Sequence, residues 1–410
     1  MVLRKDYLER LIQWKDKDLI KIISGVYCCG KSTLLKQFQE YLLDNGIEQN
    51  QIIFINFKKL ENENLLDYKE LHTYIKSKLC KDKMTYIFLD EVQKVKDFEK
   101  AVDSLYVTEN TDIYITGSNS YLLSSELATL LSGRYITISM LPLSFKEYCE
   151  LKNSNSQDIF KEYLNNGGFP YISSIVNEND FINDYLEGIY NTIIIKDIAD
   201  RQNRKEININ NRNVVDINLL KSISKYLSSI IGSPISVRNV TNYLVSNGRK
   251  ISSHTVDEYM NFLKDSFIFY PVERFDIVGK ELLKTNKKWY IIDVGLRNYI
   301  LPRSHYDLGF TLENIVYFEL LRRNYRINIG KIGSAEVDFV ARKKDYIVYI
   351  QVTADMTSEE TFNREMRPLK NIKDNYSKIV LTLDNYSTGN YEGIKIINVI
   401  DWLLDKVSID

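Results

Sequence analysis

At 410 residues, 44% hydrophobic and 27% charged, the chain has the length and balance of two or three ordinary globular domains. It contains no run of about 18 apolar residues, so no membrane-spanning helix is expected, and its start has no apolar signal core, which predicts a cytoplasmic protein. The net charge of -1 hides a gradient: residues 196–300 hold 17 Lys and Arg against 11 Asp and Glu, making this basic segment the expected place for a nucleic-acid partner.

The opening MVLRKDYLERLIQWKDKD reads as a charged amphipathic helix. The β-rich runs LIKIIS (19–24), IIFINF (52–57), YIFLD (86–90), IYITGS (113–118) and YITISM (135–140) then alternate with helical patterns such as STLLKQFQEYLLDNG and FEKAVDSLY. Strands alternating with helices predict an α/β fold with a parallel sheet over residues 1–150. A helical connection follows over 151–213 and closes in the polar RQNRKEININNRN, a hinge candidate. Residues 214–300 hold three helix patterns, each with Asp or Ser at its start as a cap, and then the strands IFYPVERFD and KWYIIDVG. Three helices and a hairpin predict a winged-helix-like module. Residues 301–410 return to mixed α/β, with a helix LENIVYFELLRR, strands AEVDFVAR and YIVYIQVT, a helix EETFNREMRPLKNI, and strands KIVLTLD and IKIINV. Neither the four cysteines nor the three histidines have metal-ligand spacing.

Gly25, Gly30, Lys31 and Ser32 fit G-x-x-x-x-G-K-[ST] between an apolar strand and an amphipathic helix, the context a P-loop requires. The backbone N–H groups from Gly25 through Val26, Tyr27, Cys28, Cys29 and Gly30 would cradle phosphate oxygens at the positive end of the helix. Lys31 would reach the β- and γ-phosphates of ATP, Ser32 would ligate Mg²⁺, and Thr33 would line the site. The adjacent thiols of Cys28 and Cys29 are expected to point away from the phosphates.

Downstream, YIFLDEV has the form of a Walker B strand, expected beside the P-loop strand. Asp90 would hold the magnesium and Glu91 would polarise the attacking water, a role that a binding-only site does not need. A third strand ends in Thr116, Ser118, Asn119 and Ser120, of which Ser118 or Asn119 is the expected γ-phosphate sensor. Arg134, the only Lys or Arg between Lys100 and Lys146, is a candidate arginine finger toward its own or a neighbouring subunit's phosphate, which makes an oligomer an expectation too.

The stretches SGVYCCGKSTLL, FLDEVQ, ITGSNSYLLSSELATLLSGRY and LPLSFKEY resemble the prokaryotic AAA-type P-loop ATPases of the AAA+ superfamily that carry a C-terminal domain related to the restriction-endonuclease-like fold. The similarity continues through GGFPYI, YIIDVGLRNYIL, LENIVYFELLRR, EVDFVA and YIQVT. It implies an N-terminal ATPase, a winged-helix-like linker and a nuclease-like tail. Nucleases of that type hold Mg²⁺ with an acid on a helix, an Asp on one strand and a Glu-x-Lys on the next. Glu313 matches the helical acid and Asp338 the strand Asp, with Glu336 on the same face, but Gln351 replaces the Glu and Thr353 the Lys. The tail therefore reads as a degenerate nuclease-like domain.

In the winged-helix-like module the third helix has Asp257, Glu258 and Asp265 against Lys264 alone, a poor composition for groove reading. Its lysines lie around the presumed wing, at 280, 284, 287 and 288. The sequence thus predicts a Mg-ATP-hydrolysing AAA-type switch coupled to C-terminal interaction domains. An ATP-regulated metal-dependent nuclease and a non-hydrolysing, nucleotide-gated scaffold for a protein or DNA partner are the alternatives.

Overall fold

The structure, a computed structural model, describes residues 2–117, 131, 133–154, 157–175, 179–198, 215–301 and 308–409. It divides into two compact units, one over 1–142 with 265–267, the other over 143–264 and 268–410.

In the first unit, helix α1 (Lys5–Trp14) precedes five strands: β1 (Ile20–Ser24), β2 (Ile52–Asn56), β3 (Thr85–Asp90), β4 (Thr111–Gly117) and β5 (Tyr135–Ser139). Each falls on one of the β-rich runs. Between them lie α2 (Lys31–Asp44), α3 (Tyr68–Lys78) and α4 (Phe98–Tyr106). All strand pairs are parallel, in the order β2-β3-β4-β1-β5. Buried Ile and Leu from one face of the sheet, among them Ile22, Ile55, Leu89 and Ile115, pack with Leu71 and Ile75 of α3 and Val102 and Leu105 of α4 in one core. The order corrects one expectation. The strand carrying Asp90 does not adjoin the P-loop strand, because β4 runs between them. Chain order does not encode sheet order, and here the inserted strand brings a third chain end to the phosphate loop.

The second unit begins with α5 (Phe145–Lys152), α6 (Gln157–Asn166) and α7 (Asn179–Asn191). Then come α8 (Ile217–Ser229), the short β6 (Pro234–Ile235), α9 (Val237–Ser246), α10 (Ser253–Asp265), β7 (Phe269–Asp276) and β8 (Glu281–Ile291). Asp216 and Ser236 cap α8 and α9 through their side chains, as their positions before apolar periodicity predict. Next follow α11 (Val294–Ile300), α12 (Leu308–Arg322), β9 (Arg326–Ile332), β10 (Ala335–Lys343), β11 (Tyr346–Thr353), α13 (Glu359–Lys370), β12 (Ser377–Thr382), β13 (Gly389–Tyr391), β14 (Ile394–Asn398) and α14 (Val399–Leu403). One nine-stranded sheet, β13-β14-β12-β11-β10-β9-β7-β8-β6, runs through the unit. The 214–300 hairpin and the 301–410 strands therefore share a sheet, joined where Arg274–Asp276 pair in parallel with Ile329–Lys331.

Two sequence stretches far apart in the chain meet inside this unit. The Asp293 side chain caps α11 by accepting from Leu296 N–H at 3.0 Å and accepts from Gly168 N–H at 2.6 Å. A Cβ on Gly167 would lie 2.0 Å from Asp293 Oδ1, and one on Gly295 would lie 2.0 Å from the Asn166 carbonyl oxygen. Only glycines fit there.

Candidate functional site

The P-loop spans the end of β1 and the start of α2. Gly25 has φ +151°, and a Cβ there would sit 2.1 Å from the Met140 carbonyl oxygen. Gly30 caps α2 in the left-handed region at φ 104°. Both glycines of the motif are thus required by the backbone path. Cys28 also adopts a positive φ of 63°, while Cys29 is buried with Sγ 4.0 Å from Lys31 Nζ. The Lys31 amine, 4% exposed, donates to the carbonyl oxygens of Gly25 and Val26 at 2.8 and 2.9 Å.

Across from the loop, Ser32 Oγ donates to Asp90 Oδ1 at 3.0 Å. The two groups assigned to magnesium are therefore neighbours. Asn56, paired in register with Asp90, donates from Nδ2 to Asp90 Oδ2 at 2.5 Å. Thr116 reaches over from the inserted strand: its hydroxyl donates to Asp90 Oδ1 at 2.6 Å and accepts from the Glu91 N–H at 3.0 Å. Glu91 stands in the left-handed region at φ 62°, and its carboxylate accepts from Lys58 Nζ at 2.8 Å and from Gln93 Nε2 at 2.6 Å. Burial alone would raise its pKa, but Lys31 and Lys58 and the two hydrogen bonds outweigh that and hold the carboxyl below its ordinary range. Lys58 also lies 4.7 Å above the Tyr27 ring. The loop, the buried ammonium of Lys31 and the Ser32–Asp90 pair fit a magnesium-bound triphosphate.

Arg134 is not brought to this loop. It precedes β5, where its carbonyl accepts from Ile20 N–H at the start of β1, so it stands at the opposite end of strands whose C-terminal ends lead to the loop, roughly 13 Å along the strand. There it faces Asp103 at 3.5 Å and the Tyr106 ring at 5.3 Å. An in-chain finger is thereby corrected. Ser118 and Asn119 lie outside the described residues.

In the second unit Glu313, Glu336 and Asp338 do converge, and all three face Lys288, a residue the sequence reading left on the wing. Gln351 turns its amide to Glu365 Oε2 at 3.0 Å, and Thr353 Oγ1 donates to the Asp355 carbonyl. A cavity of about 640 Å³ opens beside Glu336 and Gln351, with Arg364, Glu365 and Arg367 on its wall.

Two family models match the chain, one described as an AAA domain over residues 17–149 and one as a domain of unknown function, DUF8612, over residues 157–307. An uncharacterized Haemophilus influenzae protein is 41% identical over 412 residues, covering 98% of this chain and 99% of that protein. The chain belongs to its family of AAA-domain proteins. An uncharacterized Methanocaldococcus jannaschii protein is 31% identical over 436 residues, covering all of this chain and 88% of that protein. Among solved structures, AMPPCP-bound DnaA from Aquifex aeolicus aligns over 64% of this chain and 89% of that chain, at 13% identity and TM-score 0.30. The Aeropyrum pernix ORC1 protein in complex with DNA aligns over 73% and 92%, at 10% identity and TM-score 0.28. Scores that low carry no argument for this chain.

Three further residues complete the site of the AAA domain. Asn56 and Lys58 follow from the β2–β3 pairing, which sequence does not reveal. Arg4 is 2% exposed and donates to the carbonyls of Cys29 and Leu141 at 2.9 and 2.8 Å, tying the P-loop to the chain that leaves β5. Thr116 was visible as a polar strand end. Thr116→Val keeps its shape but leaves the Glu91 N–H without its acceptor and removes one of the three donors to Asp90, both buried. Denaturant unfolding of the full chain is expected to show a loss of about 2 kcal/mol or more, whereas the isosteric change at exposed Thr357 has little effect.

Proposed function

We propose that the chain is a Mg-ATP-binding and hydrolysing AAA-type switch whose turnover is coupled to its C-terminal interaction modules. The observation that carries this reading is the single hydrogen-bonded network joining Ser32, Asp90, Thr116 and Glu91 at the mouth of the P-loop. Lys31 and the loop N–H groups would bind the phosphates, and Ser32 and Asp90 would hold magnesium, which supplies charge neutralisation at the γ-phosphate. Glu91, kept ionised by Lys31 and Lys58, is suited to orient and polarise the attacking water. Ser118 or Asn119 remains the proposed sensor, and Arg134 is proposed to act only in trans, on a neighbouring subunit.

The division into ATPase domain, helical connection, winged-helix-like module and degenerate nuclease-like domain remains our reading of the chain. For the module it is supported by the order helix, strand, helix, helix and hairpin, with β6 pairing antiparallel to β8. A nucleic-acid surface on that module is weakened by its own ion pairs. Lys287 pairs with Glu273 at 3.0 Å, Arg249 pairs with Asp216 at 3.0 Å, and Lys288 is buried.

Equilibrium dialysis with labelled ATP and Mg²⁺ tests the foundation. The wild type takes up nucleotide, and Lys31→Ala weakens uptake by about tenfold to a hundredfold, the worth of a lost charge-assisted hydrogen bond. Unchanged uptake in the variant would overturn the site.

A further inference from the structure

The resemblance to restriction-endonuclease-like folds implies a divalent cation between Glu313, Glu336 and Asp338. The structure puts a different cation there. Lys288 projects from β8 and brings Nζ to 2.9 Å from Glu313 Oε1, 2.7 Å from Glu336 Oε1 and 3.8 Å from Asp338 Oδ1. Its side chain is 2% exposed, so the ammonium takes its stabilisation from these carboxylates.

Two of the three carboxylates also accept from other donors. The Tyr290 hydroxyl donates to Glu313 Oε1 at 2.6 Å, and Val352 N–H donates to Asp338 Oδ2 at 2.8 Å. Gln351, where the nuclease pattern has a carboxylate, donates to Glu365 instead. Asp355, the other acid near the end of β11, is exposed and spends its oxygens on Thr357. A hard divalent ion needs several oxygens at about 2.0–2.6 Å around one point, and that point is taken by a covalently tethered ammonium. Among the described residues, no group of three or more His, Cys, Asp or Glu has the geometry to hold a metal ion. The residues do not fit the cation that the fold type implies.

We propose that Lys288 is the resident cation of this cluster, so that the second unit is built around an internal ammonium in the place of a divalent metal and has no metal-activated water for phosphodiester cleavage. The two units separate the claims: the P-loop site stands or falls without Lys288. In sequence Lys288 sits beside Lys284 and Lys287 and looks like one more wing lysine. Only the pairing of β7 with both β8 and β9 carries it to β10 and α12.

The test is Mn²⁺ binding to the nucleotide-free full chain, read by electron paramagnetic resonance, together with thermal unfolding in EDTA and in Mn²⁺. The wild type is expected to show no Mn²⁺ binding that Asp338→Asn removes, and the same Tm in both solutions. Lys288→Ala lowers Tm in EDTA, regains it in Mn²⁺, and binds Mn²⁺ about tenfold or more tighter than the wild type, because a positive charge has left the carboxylates. A Lys288→Ala chain that folds and shows neither change overturns the proposal. If that variant does not fold, the wild type decides: Mn²⁺ binding that depends on Asp338 refutes the resident ammonium, and its absence upholds it.

Discussion

Glu91→Gln is expected to cut phosphate release by about 10²–10⁴-fold while ATP uptake stays within about twofold of the wild type. Glutamine has the same size and keeps one oxygen to accept from Lys58, while its NH2 takes the place of the oxygen that accepted from Gln93, so the local packing survives with one hydrogen bond lost. What disappears is the negative charge and the ability to take a proton. Uptake is insulated from the change because the groups assigned to the phosphates, Lys31 and the loop N–H groups, are separate from Glu91. Phosphate release and equilibrium dialysis on the same preparation measure the two halves. A variant that hydrolyses ATP as fast as the wild type ends the enzyme reading and leaves a nucleotide-gated scaffold.

The ion pair with Lys58 adds a pH signature. Burial favours the neutral acid, yet Lys31 and Lys58 together hold the Glu91 carboxyl below its ordinary value of 4.5. The acid limb of turnover that Glu91 imposes therefore falls below that pH, and above it the base is already ionised. The same contacts lower its basicity, so the residue is a stable anion that orients water more than a strong proton acceptor.

Much of the AAA domain was legible in the sequence. The five strands are short β-rich runs bounded by polar turns, and the P-loop motif needs glycine where the backbone turns left-handed or meets Met140. Asp90 and Glu91 end an apolar strand, which placed them at the sheet edge without further help. The lateral neighbours were not legible. Thr116 and Asn56 reach Asp90 because β4 and β2 flank β3, and nothing local distinguishes that order from the one that puts β3 beside β1. In the second unit β9 escaped notice because RINIGKI interrupts its alternation with Gly330, a residue whose Cβ would lie 2.9 Å from that of Val337. Lys288 was misread for a related reason. A lysine in a basic run looks solvated until a partner strand delivers carboxylates to it.

Removing the Asp293 carboxylate is expected to destabilise the full chain by about 3 kcal/mol or more, with Asp293→Ala showing the whole loss in denaturant unfolding. The group is 4% exposed and holds the N-terminus of α11 and the Gly168 N–H together, so truncation leaves buried donors facing a void. Burial pushes its pKa up to about 6, even though the N–H groups of Gly168, Leu296 and Gly295 favour the charged form. The sign of the pH effect follows from that elevation. Between the ordinary 3.8 and about 6 the folded chain binds this proton more tightly than the unfolded chain does. Its contribution to stability therefore declines as pH rises through that window, by about 3 kcal/mol in all, and is level above it. Paired carboxylates elsewhere slope the opposite way, so the comparison to make is between wild type and Asp293→Asn. Subtracting their stabilities across pH 4–7 should isolate a falling contribution in the wild type. A flat difference would mean that the three N–H donors fully offset burial, and that the GGFP and IIDVG stretches are joined by an ordinary ionised cap.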